Sequence, residues 1–291
     1  MTIPSYALNT TQFDATLIQV LEGFILTGYM SAAQSPLGRY RYRCGMVDAA
    51  FWAFVGSGAL IVGAFLGFWL NVSKRTLGLI MGFGAGTLLS AVSFDLVFEA
   101  FKEAEGLPIV IGLLAGAFAF WGGDILIERM QTGDEADGDE GELGSIEEPG
   151  SGLQLALGAT LDGVPESVAI GLTLLGGNPV SIAFVIAVFL SNVPEGMAAS
   201  VELARTGYSK ARILAIWGGV VVLCVVAAAV GYVALGTSPP STIALIQSFA
   251  AGSILAMLAI TMMPQAFSKG GRAVGIVTVI GFILAAGLSA H

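Results

Sequence analysis

The residues best suited to chemistry in this chain belong to two copies of a short acidic motif. Residues Leu161 to Glu166 and Leu190 to Glu195 both fit the pattern Leu-x-x-Val-Pro-Glu. Asp162 lies four residues before Glu166, so the two carboxylates share a face if the segment is helical. The proline of each copy has no N–H and leaves the carbonyl four residues earlier without its helical donor. Each copy therefore predicts an interrupted helix that presents a carboxylate and a loose carbonyl, which are ligands for a cation.

The segments around these acids are apolar enough to lie in a lipid bilayer. The chain has 291 residues, of which 55% are hydrophobic and 11% charged, whereas a soluble domain has about 25% charged residues. Eight stretches are long and apolar enough to cross a membrane. They are residues 49–72, 77–101, 107–130, 152–175, 179–204, 211–235, 241–267 and 272–290. We therefore predict an all-α, polytopic membrane bundle of eight core transmembrane helices.

Two regions differ in composition from these eight segments. Residues 1–48 precede them, and 15–33 within this region are long enough for a ninth helix that either spans the membrane or lies at its surface. Residues 131–150 contain eight Asp and Glu residues and are interpreted as a disordered loop or as a segment that concentrates cations. Helices 1–3 in 49–130 and helices 4–8 in 151–291 are expected to form a single domain.

A second internal repeat relates segments two and seven. The stretch from Gly86 to Phe101 matches the stretch from Gly252 to Phe267, with the same spacing from glycine to phenylalanine. Segments separated by an odd number of crossings run in opposite directions, as segments four and five also do. The chain therefore predicts inverted repeats, which in membrane proteins mark a binding site near the bilayer midplane.

Acidic side chains inside apolar segments are costly and need a compensating partner. Five such acids are Asp95, Glu99, Asp162, Glu166 and Glu195. Each charge near the bilayer centre costs about 2.5–3.5 kcal/mol on insertion scales, and segments two, four and five contain no Lys or Arg. Either the acids are protonated or a cation binds among them. All five are candidate metal ligands, although helix-to-helix hydrogen bonding explains Glu99 alone equally well.

Several other classes of function are disfavoured. The net charge of −9 argues against nucleic acid as a partner. Cys44 and Cys224 form neither a disulfide framework nor a ligand pair, and His291 is the single histidine. A membrane-embedded hydrolase that uses paired carboxylates is a remote alternative without a supporting motif. We predict no enzymatic activity and no cofactor.

The basic residues predict the orientation in a cell (inner) membrane. The links after segments one, three, five and seven, together with the adjoining ends of the segments, hold eight Lys and Arg residues, while those after two, four and six hold only Lys102. The first set, with the acidic loop 131–150, is therefore expected in the cytoplasm, and the C-terminus outside. Arg39, Arg41 and Arg43 would lie outside and conflict with this rule.

These motifs resemble the ZIP (Zrt/Irt-like) family of divalent metal transporters, nearest its bacterial members. The resemblance covers all eight segments and is strongest at Asp162 to Glu166 and at Ser191 to Gly196. It implies that Glu166 and Glu195 are bridging ligands of a site for one or two metal ions. Asp162 stands where the family has a leading histidine, and Gly163 replaces the asparagine that follows.

The same resemblance implies further ligands and a mechanism. Ser191 and Asn192 occupy the two polar positions before the second Val-Pro-Glu, and another ligand is expected near Asp95. The family implies a homodimer and an elevator-like motion of helices one, four, five and six against helices two, three, seven and eight. Lipid and the metal ion are then the other partners.

The departures from the family leave the metal open. Without histidine the predicted ligands are all oxygen, which suits harder cations such as Mn²⁺, Mg²⁺ or Ca²⁺. The general affinity order nevertheless favours Zn²⁺ over Mn²⁺ and Fe²⁺. We therefore predict a divalent metal, zinc, iron or manganese, as the substrate. A degenerate homologue that binds metal or protons without transporting them is the alternative.

Overall fold

A computed structural model describes residues 36–70, 72–132, 152–175 and 179–289 of the chain. The chain divides into two compact units, Met1–Cys44 and Gly45–His291, and the acidic motifs belong to the second. The predicted ninth helix at 15–33 lies outside the described residues, as does most of the predicted acidic loop, residues 133–150.

Each of the eight predicted segments is mainly helical within the described residues, and these residues contain no β-strand. The all-α fold class is therefore confirmed. Segments two and seven each consist of two α-helices joined by a π-helix. The elements are α1 (Pro36–Trp69), α2 (Lys74–Ala91), π1 (Val92–Phe98), α3 (Glu99–Glu103), α4 (Leu107–Thr132), α5 (Gly152–Thr173), α6 (Ile182–Arg205), α7 (Lys210–Leu235), α8 (Pro240–Met257), π2 (Leu258–Met262), α9 (Met263–Gly270) and α10 (Ala273–Ser289).

The first helix begins earlier than the sequence predicted. The apolar stretch was expected to start at Ala49, whereas α1 starts at Pro36. The arginines between these residues end the apolar run without ending the helix, and proline is well tolerated in a first helical turn. Hydropathy therefore located the membrane span, and the helix extends beyond it.

Most of these helices are long and apolar enough to cross a bilayer. Within the described residues, six segments meet both conditions: 45–69, 74–103, 107–129, 182–205, 210–235 and 240–270. The 17 residues of α10 are apolar but shorter, with a rise of about 26 Å against a hydrocarbon core of about 30 Å. The 22-residue helix α5 is not among the six and has the carboxylates of the first motif. The protein is therefore a polytopic helical membrane protein.

The helices form two groups. In the first group, α1, α5, α6 and α7 share an apolar cluster that contains Leu60, Ala159, Leu203 and Trp217. In the second group, α2 packs against α9 and α10, and α4 packs against α8. These are the two sets of helices that the family resemblance expects to move against each other.

The packing pattern repeats within the bundle. In the first group α5 packs against α7, and α6 packs against α1, where Val193 lies against Gly63. In the second group α2 packs against α10, and α8 packs against α4. The pairs are related by exchanging segment one with six, two with seven, three with eight and four with five. This exchange turns the first helix contact of each group into the second helix contact of the same group. The pairing is therefore that of an inverted repeat.

The two π-helices occupy equivalent places in this repeat. π1 begins six residues after Gly86, and π2 begins six residues after Gly252. A Cβ at Gly86 would overlap the Thr278 carbonyl of α10, and a Cβ at Gly252 would overlap the Leu113 carbonyl of α4. Each glycine thus permits a close helix contact just before its helix changes pitch.

The proline-containing helices are continuous rather than interrupted. Pro165 lies inside α5 and Pro194 lies inside α6, since neighbouring helices in a membrane bundle support a helix across a missing hydrogen bond. The Leu190 carbonyl, which Pro194 deprives of its donor, lies against α2, where a Cβ at Gly84 would be 2.9 Å away. This oxygen belongs to the contact between the two groups.

Apolar side chains fill most of the contact between the groups. There α6 faces α2, and α5 faces α8. Their buried residues form one cluster that includes Leu88 and Val92 from segment two, Phe184 and Val188 from α6, and Ile254 from α8. In a bilayer such a surface holds the groups together by van der Waals packing, because lipid tails are as apolar as these side chains.

Candidate functional site

The acidic residues of the two motifs lie close together in the first group of helices. Asp162 and Glu166 are one turn apart on α5, and Glu195 on α6 interacts electrostatically with both. The helices α5 and α6 are in direct contact. We call these three residues the central acidic cluster. The structure brings them to one place, and their role as metal ligands stays a prediction.

Glu166 is the most enclosed member of the central acidic cluster. Its side chain is 1% exposed, and its Oε2 has no hydrogen-bond partner among the described residues. The Asn192 amide is within hydrogen-bonding reach of this carboxylate and also donates to the Gly56 carbonyl of α1 at 3.3 Å. A buried polar atom without a partner costs about 1–3 kcal/mol. A cation or a proton at Oε2 would remove that cost.

The sequence around the cluster supplies no positive charge. Gly152 to Ala204 contains no Lys or Arg, and Arg205 at the end of α6 pairs with Glu202, so neither α5 nor α6 offers a basic partner to these carboxylates. Among the described residues, no three His, Cys, Asp or Glu side chains converge closely enough to hold one ion as they stand. Closure around a metal would therefore require rotation of at least one side chain, and Asp162 and Glu195 are only partly buried.

Ser191 adds a hydroxyl to the same turn of α6. It is buried, and its Oγ donates to the Val188 carbonyl at 2.9 Å, which leaves the oxygen lone pairs free to accept or to bind a cation. In the motif alignment Ser191 stands opposite Asp162 of α5. The second motif thus supplies a neutral oxygen where the first supplies a carboxylate.

Asp95 lies at a separate place, in π1. Its Oδ1 accepts a hydrogen bond from Ser181 Oγ, and its Oδ2 accepts one from Ser289 Oγ, both at 3.0 Å. Gln247 donates to the Asp95 carbonyl at 3.2 Å. We call Asp95, Ser181 and Ser289 the Asp95 cluster. Its carboxylate has two donors, and the carboxylate that acts on it electrostatically is Glu99.

Glu99 is likewise remote from the central acidic cluster. Its Oε1 forms a salt bridge of 2.6 Å with Lys102, three residues later, and its side chain is 47% exposed. An exposed pair of this kind contributes little to stability. This local ion pair is the contact that the structure shows for Glu99, and a role of Glu99 as a metal ligand stays a prediction.

Two residues that sequence reasoning did not place at the site lie beside it. Cys224 on α7 is fully buried and interacts electrostatically with Glu166 and Glu195. Asp124 on α4 interacts in the same way with Asp162, and its neighbour Gly123 lies against Leu161. Neither residue has a local motif, because both reach the cluster through packing between helices distant in sequence.

Fold and site together define a polytopic membrane protein with an acidic site inside its helical bundle. No protein-family model matches the chain. Over 214 residues it is 27% identical to a protein of Arabidopsis thaliana named "Putative zinc transporter". The match covers 72% of this chain and 33% of that relative, so the chain spans about a third of the relative's length.

Proposed function

We propose that this protein transports a divalent metal cation across the membrane through the central acidic cluster. The observation that carries this proposal is the buried Glu166 carboxylate, whose Oε2 has no partner among the described residues, beside the carboxylates of Asp162 and Glu195. A divalent cation would compensate several of these charges at once. The name of the Arabidopsis relative supports zinc as the substrate, and iron and manganese also accept carboxylate ligands.

The proposed mechanism is alternating access with an elevator-like motion. Both ligand-bearing helices, α5 and α6, belong to the first group, so the whole site would move as one unit. The contact between the groups is mainly apolar, so sliding would break few hydrogen bonds. The second group would then serve as the fixed frame past which the site moves.

We also propose an inner-membrane location and a defined orientation. The distribution of Lys and Arg among the links favours cytoplasmic residues 131–150 and an external C-terminus. A homodimer is expected from the family resemblance. This proposal describes a protein without enzymatic activity, in which the metal is cargo.

Zinc uptake into proteoliposomes tests the proposed function. We expect the wild-type chain to load vesicles with zinc, and Glu166→Gln and Glu195→Gln to reduce uptake to the background of empty vesicles. Glu202→Gln is a matched control, because Glu202 is on α6, is 45% exposed and pairs with Arg205 at 3.6 Å. Uptake by Glu166→Gln and Glu195→Gln equal to that of the wild type would contradict the proposal.

The same preparation separates transport from binding alone. The lack of a histidine within α5 and α6 favours the second candidate, a protein that binds metal without moving it. Zinc bound to the purified chain but absent from the vesicle lumen would select that candidate. If the purified chain does not bind zinc and the vesicles do not take it up, both candidates are contradicted.

A further inference from the structure

A sulfur atom lies at the edge of the central acidic cluster. It belongs to Cys224 of α7, a free and fully buried cysteine on a helix that packs against α5. A Cβ placed on Gly163 would be 2.8 Å from Cys224 Sγ. The missing side chain at Gly163, which lies between Asp162 and Glu166 in the first motif, therefore leaves the space that the sulfur occupies.

The thiol has an apolar side and a polar side. On the apolar side Cys224 belongs to the cluster that contains Leu60 and Trp217. On the polar side the Ser167 hydroxyl is within hydrogen-bonding reach of Sγ, and the Glu166 and Glu195 carboxylates act on it electrostatically. A cysteine that only fills a gap behaves as a small hydrophobe and gains nothing from carboxylate neighbours.

A second observation indicates that the surroundings of Cys224 suit a positively charged ligand. Glu166 Oε2 is buried without a hydrogen-bond partner among the residues described, and the Glu166 carboxylate is one of the two that act electrostatically on the thiol. Carboxylate oxygens and a cysteine sulfur are both among the ligands that zinc takes in proteins.

We propose that Cys224 is a ligand of the metal bound at the central acidic cluster, so that the site selects thiophilic cations such as Zn²⁺ and Cd²⁺ over Mn²⁺. This inference deepens the proposed function and rests on it. It also replaces the expectation of an oxygen-only site, because one sulfur ligand shifts preference from harder cations towards zinc. Cys224 Sγ lies in the space left by Gly163, the residue that stands where the family has an asparagine.

The binding step is an exchange of a proton for a metal. The S–H bond of Cys224 breaks, a metal–sulfur bond forms, and the proton leaves to water. No electron is transferred, so no oxidant or reductant is needed. The carboxylates of Glu166 and Glu195 then complete the site through their oxygens.

Cadmium binding to the purified full-length chain tests the proposal through the ultraviolet thiolate-to-metal charge-transfer band. We expect the band in the wild type and in Cys44→Ser, because that variant keeps the Cys224 thiol. Cys224→Ser should lose the band while it still binds Mn²⁺ through the carboxylates. Size-exclusion chromatography checks that each variant remains folded.

Zinc and manganese titrations measure the selectivity. We expect Cys224→Ser to lose at least the roughly 10–100-fold in zinc affinity that even outer-shell changes cost at metal sites, with little change for manganese. Glu166→Gln should weaken both metals. A wild type that binds both metals through Glu166 but shows no charge-transfer band, or a Cys224→Ser variant with unchanged zinc preference, would overturn the sulfur ligand and leave the proposed function intact.

Substitution of two glycines on α5 gives an independent test in which the Cys224 thiol is retained. Gly163→Ala places a methyl group against Sγ and should weaken the cadmium band by displacing the sulfur. Gly158→Ala on the same helix is the matched control, because nothing lies within 4 Å of the Cβ it would add. An undiminished band in Gly163→Ala would contradict the placement of the sulfur, whereas metal binding absent from every variant and from the wild type would overturn the proposed function itself.

Discussion

The central acidic cluster and the Asp95 cluster show two ways of keeping a carboxylate inside an apolar bundle. Asp95 has a hydroxyl donor on each oxygen, from Ser181 and Ser289. Glu166 is 1% exposed, and its Oε2 has no partner among the described residues. The first arrangement is complete by itself, whereas the second becomes complete when a cation or a proton arrives. Hydrogen bonding to the carboxylate, rather than burial alone, therefore distinguishes the two clusters.

The two clusters also differ in the helices that they join. The central acidic cluster lies entirely within the first group of helices. The Asp95 cluster connects both groups, because Ser181 caps α6 whereas Asp95 and Ser289 belong to segments two and eight. If the first group moves, the central acidic cluster moves intact and the bond between Ser181 and Asp95 must break.

The largest effect expected from this difference follows removal of the charge at Glu166. In Glu166→Gln, we expect metal binding to be lost while the metal-free protein becomes more stable, because the substitution removes the repulsion between Glu166 and the carboxylates of Asp162 and Glu195. Thermal unfolding in detergent, with and without zinc, measures both effects. A metal-free variant less stable than the wild type, with zinc still stabilising it, would contradict the unpaired state assigned to Glu166.

Asp95→Ala should have a smaller effect than Glu166→Gln, and it should lower stability instead of metal binding. Removing the acceptor leaves two hydroxyl groups without their bonds, which should cost about 1–3 kcal/mol of stability and leave zinc affinity unchanged. Zinc titration and thermal unfolding of the same sample test this expectation. A loss of zinc affinity would instead make Asp95 a ligand, as the family resemblance implied.

The two serines of the Asp95 cluster provide the finest comparison. Ser289→Ala should cost about 0.5–1.5 kcal/mol, the net value of one hydrogen bond. Ser181→Ala should cost more, because Ser181 Oγ also caps α6 by accepting from Phe184 N at 3.1 Å. Loss of a helix cap costs about 0.5–2 kcal/mol in addition. Thermal unfolding that ranks Ser289→Ala as the more harmful change would contradict this assignment.

The central acidic cluster was largely predictable because its signal is local. Asp162 and Glu166 are four residues apart, and the Val-Pro-Glu motif recurs at Glu195, so helical periodicity and repetition were sufficient to select them. The membrane fold was predictable for a similar reason, since long apolar stretches have few alternatives to helices in lipid.

What sequence reasoning missed depends on packing between distant helices. Cys224 was dismissed because it lacks a nearby ligand partner in the sequence, and its position beside Gly163 appears only when α7 packs against α5. Asp95 was grouped with the other acids because composition cannot show that Ser181 and Ser289 reach it. The π-helices had no recognised signal, although they start at equivalent places in the repeat.

Locating the bound metal tests the account most directly. Anomalous difference density from zinc-loaded crystals of the full chain should show zinc at carboxylate oxygens of Glu166 and Glu195, at the distances of about 2.0–2.2 Å typical of zinc. Density at Asp95 with none at Glu166, or no ordered zinc in the bundle, would contradict the claim that the unpaired carboxylates are the metal site.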